Sequence, residues 1–365
     1  MMSTVASCLT ILIASASCGR LGFDDLANGR FLVVANGGAT ASVYRVDPDT
    51  YRLEQTAQGD VTVGSPNVID ATPDGRFIYM PNYYDSTLSG FAIDPVSGAL
   101  SPIPGTPIAE PGANPQAVIV HPSGKFLYLV NNTTSALITY AIDATTGELS
   151  QLSSVGTATT GAYMPAIDPV GQFLYVSTYA TTIAGYALDP ALGTPTAVPG
   201  SPFPVQGANM IPTFDRTGKF LYLCANSTDL RGFAVGATGE LTEVPGSPYA
   251  NPQSFYWLKP DPSGRYLIGT TGFTAGIFVW SIDAVTGALT PAPGSPFASA
   301  AEQSLQWGVF TPDGTHFFAG SDYASFPATD LAMYSFDPTT GAVNVDAIDL
   351  APRSTYVSSM VLVHS

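Results

Sequence analysis

The stretch PDGRFIYM, residues 73–80, joins a tight turn to a run of strand formers, and the chain carries seven versions of it. Pro73 presets the backbone of the turn, Asp74 caps it, and Gly75 accepts the positive φ that other residues resist. Phe77, Ile78, Tyr79 and Met80 then read as a strand buried on both faces. The other versions are NGRFLVV at Asn28, PSGKFLYL at Pro122, PVGQFLYV at Pro169, RTGKFLYL at Arg216, PSGRYLIG at Pro262 and PDGTHFFA at Pro312. The turn glycines Gly29, Gly75, Gly124, Gly171, Gly218, Gly264 and Gly314 stand 46, 49, 47, 47, 46 and 50 residues apart.

Around each turn the unit reads as four strands. In the second unit VIDAT, residues 68–72, is a short inner strand, FIYMPN is strand two, LSGFAID is strand three and ALSPI is strand four. A hairpin at Pro95-Val96-Ser97-Gly98 joins the last two, and its pattern returns at Asp143, Asp189, Asp283 and Asp337. The motif PGTP or PGSP, at Pro104, Pro199, Pro245 and Pro293, follows the fourth strand. Proline there fits an outer edge strand leaving its sheet, where no ladder donor is needed. Helical 3.6-residue spacing is absent.

A four-stranded unit at this period predicts an all-β, seven-bladed β-propeller over residues 28–365. The first unit lacks an inner strand, and the C-terminus, SSMVLVHS, matches AVIVHPSG so that His364 falls where His121 falls. The last strand is therefore expected to complete the first blade and close the ring. An open array would leave residues 360–363 unpaired on an exposed edge.

Of the 365 residues, 45% are hydrophobic and 11% charged, and the formal net charge is −16. A nucleic-acid partner needs a basic face, and so does docking on anionic lipid, so both are excluded. Residues 5–17, VASCLTILIASAS, form an apolar run too short to span a bilayer. It reads as a secretory signal peptide, and SASC ending at Cys18 resembles a bacterial lipobox. Residues 1–18 are thus expected to be the signal, 19–27 a short linker, and Cys18 a lipid anchor. That places the protein in the cell envelope, or in the periplasm or medium if the signal is a plain secretory one. An acylated Cys18 leaves Cys224, in the apolar run FLYLCAN, as a buried thiol without a disulfide partner.

In a propeller, polar function sits at strand ends around the central channel. The inner strands start at Asn67, Gln116, Tyr163, Met210, Tyr256, Gln306 and Ser359. One residue inward stand Val68, Ala117, Met164, Ile211, Trp257, Trp307 and Met360. Asn67, Gln116, Tyr163, Tyr256, Trp257, Gln306 and Trp307 are the candidate ligand contacts, with no carboxylate or imidazole among them. They suit a neutral, sugar-like ligand, or they merely plug the channel mouth. Lys259 is the odd cation in the inner strand WLKPD, with Asp70 its counterpart in blade two. A desolvated Lys is a candidate base, while snorkelling or a structural ion pair is the bland alternative. His121, His364 and His316 read as structural. No metal or cofactor motif is present: no H-E-x-x-H, no paired Cys, no EF-hand loop.

The repeat GRFLYV…F-x-I-D-x-x-T/S-G-x-L resembles the seven-bladed lactonase family, which includes propeller-type 6-phosphogluconolactonases and fungal carboxymuconate lactonizing enzymes. The resemblance runs from Gly29 to Ser365 and is strongest in PDGRFIYM and HPSGKFLYLVNN. It implies lactone hydrolysis by a His in a PHxH-like stretch, an Arg nearby, and a Glu after strand two. Here the His positions hold Ser65 and Asn67, or Asn114 and Gln116. The Asn-Glu pair is replaced by Asn131-Asn132, Asn226-Ser227 or Asn82-Tyr83, and Arg353 is only a loose match. Two readings follow. One is a lactone hydrolase by resemblance. The other is a non-catalytic envelope propeller that binds a glycan, a small neutral ligand or a protein partner at the channel mouth. Either is expected to act as a monomer.

Overall fold

The computed structural model describes residues 30–36, 39–110, 113–158, 160–205, 211–225, 229–250, 255–271, 276–299, 305–321, 331–347 and 357–364. Among them every regular element is a strand, and the strands form seven antiparallel sheets arranged in a ring. Blade one takes its inner strand from the C-terminus, as expected: Val357–His364 pairs with Arg30–Asn36. Arg30 lies opposite His364, Leu32 opposite Leu362 and Val34 opposite Met360. Seven hydrophobic clusters fill the seven spaces between neighbouring blades. Phe126 and Tyr128 of blade three, for example, pack on Leu174 and Val176 of blade four. That double-sided burial is why strand two is buried along its whole length in blades two to four and apolar over its first four or five residues, apart from a Ser in blade four.

The turn after the inner strand is held by a side chain. Oxygens of Thr72, Asp215, Asp261 and Thr311 accept the N–H that opens strand two, at 3.1, 2.8, 2.7 and 3.1 Å. The second hairpin locks onto the neighbouring blade. Tyr79, Tyr128 and Tyr222 of strand two donate to the carbonyls of Gly147, Gly193 and Gly287 at 2.7, 2.9 and 2.8 Å. Those glycines have positive φ, and they also have no room for a Cβ: one on Gly287 would sit 2.3 Å from the Phe220 ring.

Two details depart from the sequence reading. The outer strand does not simply leave after PGTP or PGSP. The motif loops out, and the chain returns to pair with the upper part of strand three, as Ile108–Ala109 with Thr87–Leu88 and Phe203–Pro204 with Thr182–Ile183. The Ser of the motif serves strand three, where Gly185 N–H and Val279 N–H donate to Ser201 and Ser295 at 2.9 Å each. The inner strand of blade two is also shorter than residues 68–72, spanning only Asp70–Ala71. Asp70 and Ala71 pair with Tyr79 and Ile78, and the same register brings Val68 opposite Pro81, which has no N–H to offer. Val68 instead joins blade three, donating to Gln116 O at 3.4 Å and accepting from Val118 N–H at 3.2 Å.

Candidate functional site

The mouth of the channel is less uniform than the seven starting positions suggest. Inner strands three, six and seven each bulge there, between Pro115 and Ala117, Phe255 and Trp257, and Leu305 and Trp307. The bulged residues are Gln116, Tyr256 and Gln306. Gln116 is buried, and Ser359 accepts Ile69 N–H at 3.3 Å, so both serve contacts within the ring. Asn67 is half-buried, with its N–H on Pro81 O at 2.9 Å. Tyr163 is half-buried, its ring 5.0 Å from that of Tyr179. Met210, Arg353, Asn226 and Ser227, and the side chains of Tyr256, Gln306 and His364, lie outside the described residues, as does Cys18.

Deeper in, two adjoining cavities of about 330 and 240 Å³ occupy the channel. Trp257, Lys259 and Arg216 line both, while Asp70 and Trp307 line the larger. Trp257 is turned into the space between blades six and seven, stacked on Phe317 at 6.0 Å and lying over Gly308. Its Nε1 is buried without a partner.

Lys259 is open to channel water yet enclosed by protein on all sides. Burial pulls its ammonium below the ordinary lysine range; the Asp70 charge opposes this and the Arg216 charge adds to it. Across the channel, burial pushes Asp70 up to about 6, against the pull of Val120 and Ala71 N–H bonds and of Lys259. Those bonds are 2.8 and 2.9 Å long. The two charges face each other without a contact ion pair, and the Lys259 ammonium makes no hydrogen bond among the described residues.

Arg216 escaped the sequence reading. It sits in the turn of blade five, where blades two, three, four, six and seven have proline. Its Nε donates to Asp261 O at 3.2 Å, which fixes it beside Lys259. That one departure from the repeat was the available signal. The channel thus holds two cations, where the sequence reading had found one.

The positions that the family resemblance marks for catalysis tie loops and blades together. Ser65 Oγ accepts Tyr84 N–H at 3.0 Å and donates to Asp85 at 2.8 Å. Asn114 Nδ2 donates to Tyr83 O at 3.2 Å, and Asn131 Nδ2 to Glu110 at 3.1 Å. His121 bridges Ser123 and Gly171 O at 2.8 and 3.0 Å, and burial lowers its pKa. His316 rests on Tyr51, 4.4 Å between ring centroids, with Nε2 3.4 Å from Asp346. Cys224 is buried, its thiol pushed up to about 11 by burial, which suits a structural residue. Among the described residues no group of His, Cys, Asp or Glu could hold a metal, and no helix is long and apolar enough to cross a membrane.

The family whose sequence pattern is described as "Lactonase, 7-bladed beta-propeller" matches residues 25–110 and 104–255. The chain belongs to this lactonase family. No curated protein matches this lactonase propeller in sequence. Among solved structures it is similar to a periplasmic gluconolactonase of Pseudomonas aeruginosa, with 18% identity, TM-score 0.74, and 92% and 99% of the two chains covered. A putative 6-phosphogluconolactonase of Bacteroides fragilis superimposes with TM-score 0.73 at 18% identity, covering 92% and 98%. The hydrazine synthase of Kuenenia stuttgartiensis also matches, with TM-score 0.59 at 17% identity over 87% and 95%. Identities this low carry the propeller fold alone, and a lactonase-family propeller must be read from its own side chains.

Proposed function

We propose that this lactonase-family propeller is exported and takes a sugar lactone, or the acid it opens to, into the channel between Asp70 and Lys259. The observation that carries the reading is Lys259. An ammonium that faces a cavity without a hydrogen bond or contact ion pair is prepared for an oxygen brought by a ligand. Asp70, ionised above about pH 6, serves as proton acceptor for the attacking water. The water oxygen bonds the lactone carbonyl carbon and the C=O electrons move onto the carbonyl oxygen; the ring C–O bond then breaks as that tetrahedral oxyanion collapses. Asp70 takes the water proton and returns it to the leaving alkoxide. Lys259 meets the charge that develops on the carbonyl oxygen, and Arg216 strengthens the positive field around it.

The test is hydrolysis of glucono-δ-lactone above its spontaneous rate. The kcat/KM is expected to rise as pH passes about 6, because the deprotonated Asp70 is the active form. It should fall again where Lys259 loses its proton, below the ordinary lysine range. Lys259→Met is expected to cost about 10²–10³-fold, the effect of one oxyanion donor. Turnover unchanged in Lys259→Met and Asp70→Asn sinks the catalytic reading. A second reading, binding without turnover, draws support from Ser65, Asn114 and Asn131, which are engaged in structural bonds. It predicts that gluconate raises the Tm of the wild type but not of Lys259→Met, with no hydrolysis by either.

Export rests on the apolar run before Cys18 and on the lipobox-like SASC. Cys18→Ala is expected to move the protein from the membrane fraction to the soluble fraction with its Tm unchanged. Unaltered fractionation would exclude lipidation at that residue.

A further inference from the structure

Beside the inner-strand starts at the channel mouth, the loops that follow strand two in blades two and four present tyrosines to solvent, with Tyr83 N–H on Ser65 O and Tyr179 N–H on Gly161 O. Tyr84 is 82% exposed and meets Tyr83 edge to face, 5.1 Å between centroids. Tyr179 is 44% exposed and pairs with Tyr163 at 5.0 Å. Its seat is Gly161, where a Cβ would come within 2.7 Å of the Tyr179 ring. Blade three links the two pairs. Asn114 donates to Tyr83 O, and Asn132 donates to Ala162 O at 2.9 Å, next to Tyr163. Burial raises the Tyr179 phenol above its ordinary value, and the nearby Tyr83 phenol adds to the shift.

We propose that this rim, carried by Tyr83, Tyr84, Tyr163 and Tyr179, is a stacking surface for a neutral oligosaccharide. A pyranose offers an apolar C–H face and a ring of hydroxyls. An exposed phenol flanked by amides and hydroxyls matches both, because its body is apolar and its tip polar. The segments 81–87, 132–135 and 178–183 contain no Lys or Arg, and the chain carries a net charge of −16, so an acidic polymer is disfavoured. They also expose no Leu, Ile, Met or Trp around the rings, whereas protein interfaces gather such residues at an apolar centre. None of the four tyrosines lines the cavities that hold Asp70 and Lys259, and the surface does not depend on any turnover there.

The test is calorimetric titration of the full-length mature protein with hexasaccharides of glucose, xylose, mannose and N-acetylglucosamine. At least one is expected to bind at millimolar concentration or below. Tyr84→Ala and Tyr179→Ala should each weaken it about threefold to tenfold, the scale of one aromatic contact. Tyr84→Phe should retain binding, since the stacking face is kept, and Lys259→Met should leave it unchanged. Thermal melts of the two alanine variants check that they are folded. The proposal is overturned if no hexasaccharide binds, if binding survives both alanine changes together, or if only Lys259→Met abolishes it. A purified protein partner lost in Tyr84→Ala, with no sugar bound by the wild type, would assign the rim to protein recognition and overturn it equally.

Discussion

Removal of residues 357–365 is expected to unfold the propeller in buffer at ambient temperature. The deleted strand buries Val357, Met360, Leu362 and Val363 against Leu32, Val34 and the neighbouring blades. At about 1.5–3 kcal/mol for each buried side chain, the loss is roughly 6–12 kcal/mol, comparable with the ~5–15 kcal/mol that stabilises a typical protein. The damage also spreads. Arg30–Asn36 loses its ladder partner on one side, and Ile69 N–H loses Ser359. A chemical denaturation curve checks this, with no folded baseline and no cooperative transition expected for the truncated protein. A truncated protein melting within a few degrees of the wild type would contradict the seam.

The second large effect lies in the hairpins. Gly287→Ala is expected to destabilise the protein by about 2–5 kcal/mol. Left-handed backbone accounts for roughly 1–2 kcal/mol of this, because φ at Gly287 is 72°. Forcing a methyl into a filled space costs a further ~1–3 kcal/mol, because its Cβ would meet Phe220 at 2.3 Å. Gly105→Ala separates the two causes, since φ there is 79° and no atom lies within 4 Å of the added carbon. It should lose only the backbone part. Equal losses in the two variants would mean that the hairpin contact between blades contributes little. The comparison is read from the two denaturation midpoints.

What could be read in advance follows from how local each cause is. A turn glycine, the apolar run after it and the orphan strand at the C-terminus are all written in contiguous residues, so the blades, their number and the closure were legible. The short inner strand of blade two was not, because its cause is Pro81, in a different strand, and the remedy is a bond to blade three. The return of the outer strand after PGSP depends on a Ser hydroxyl meeting strand three about sixteen residues back in sequence. At the site, Lys259 and Asp70 stood out as charges in apolar strands. Arg216 did not, because its role comes from the turn of blade six, whose Asp261 carbonyl fixes it. At Gln116 a bulge turns a mouth position into a buried one, and alternation alone does not show where a strand slips.

The seam between Arg30 and His364 also determines how the ring responds to load. Both chain ends leave the paired strands at the same edge of the blade. Traction between them would peel hydrogen bonds apart one pair after another, the weakest way to pull on an antiparallel ladder. Traction on the N-terminus alone, as from a tether at the membrane, is borne instead by Arg30–Asn36, held by a ladder on each side. A propeller fastened by its leading end therefore keeps its clasp out of the line of force. The same propeller tied at both ends would be opened at its one non-covalent joint.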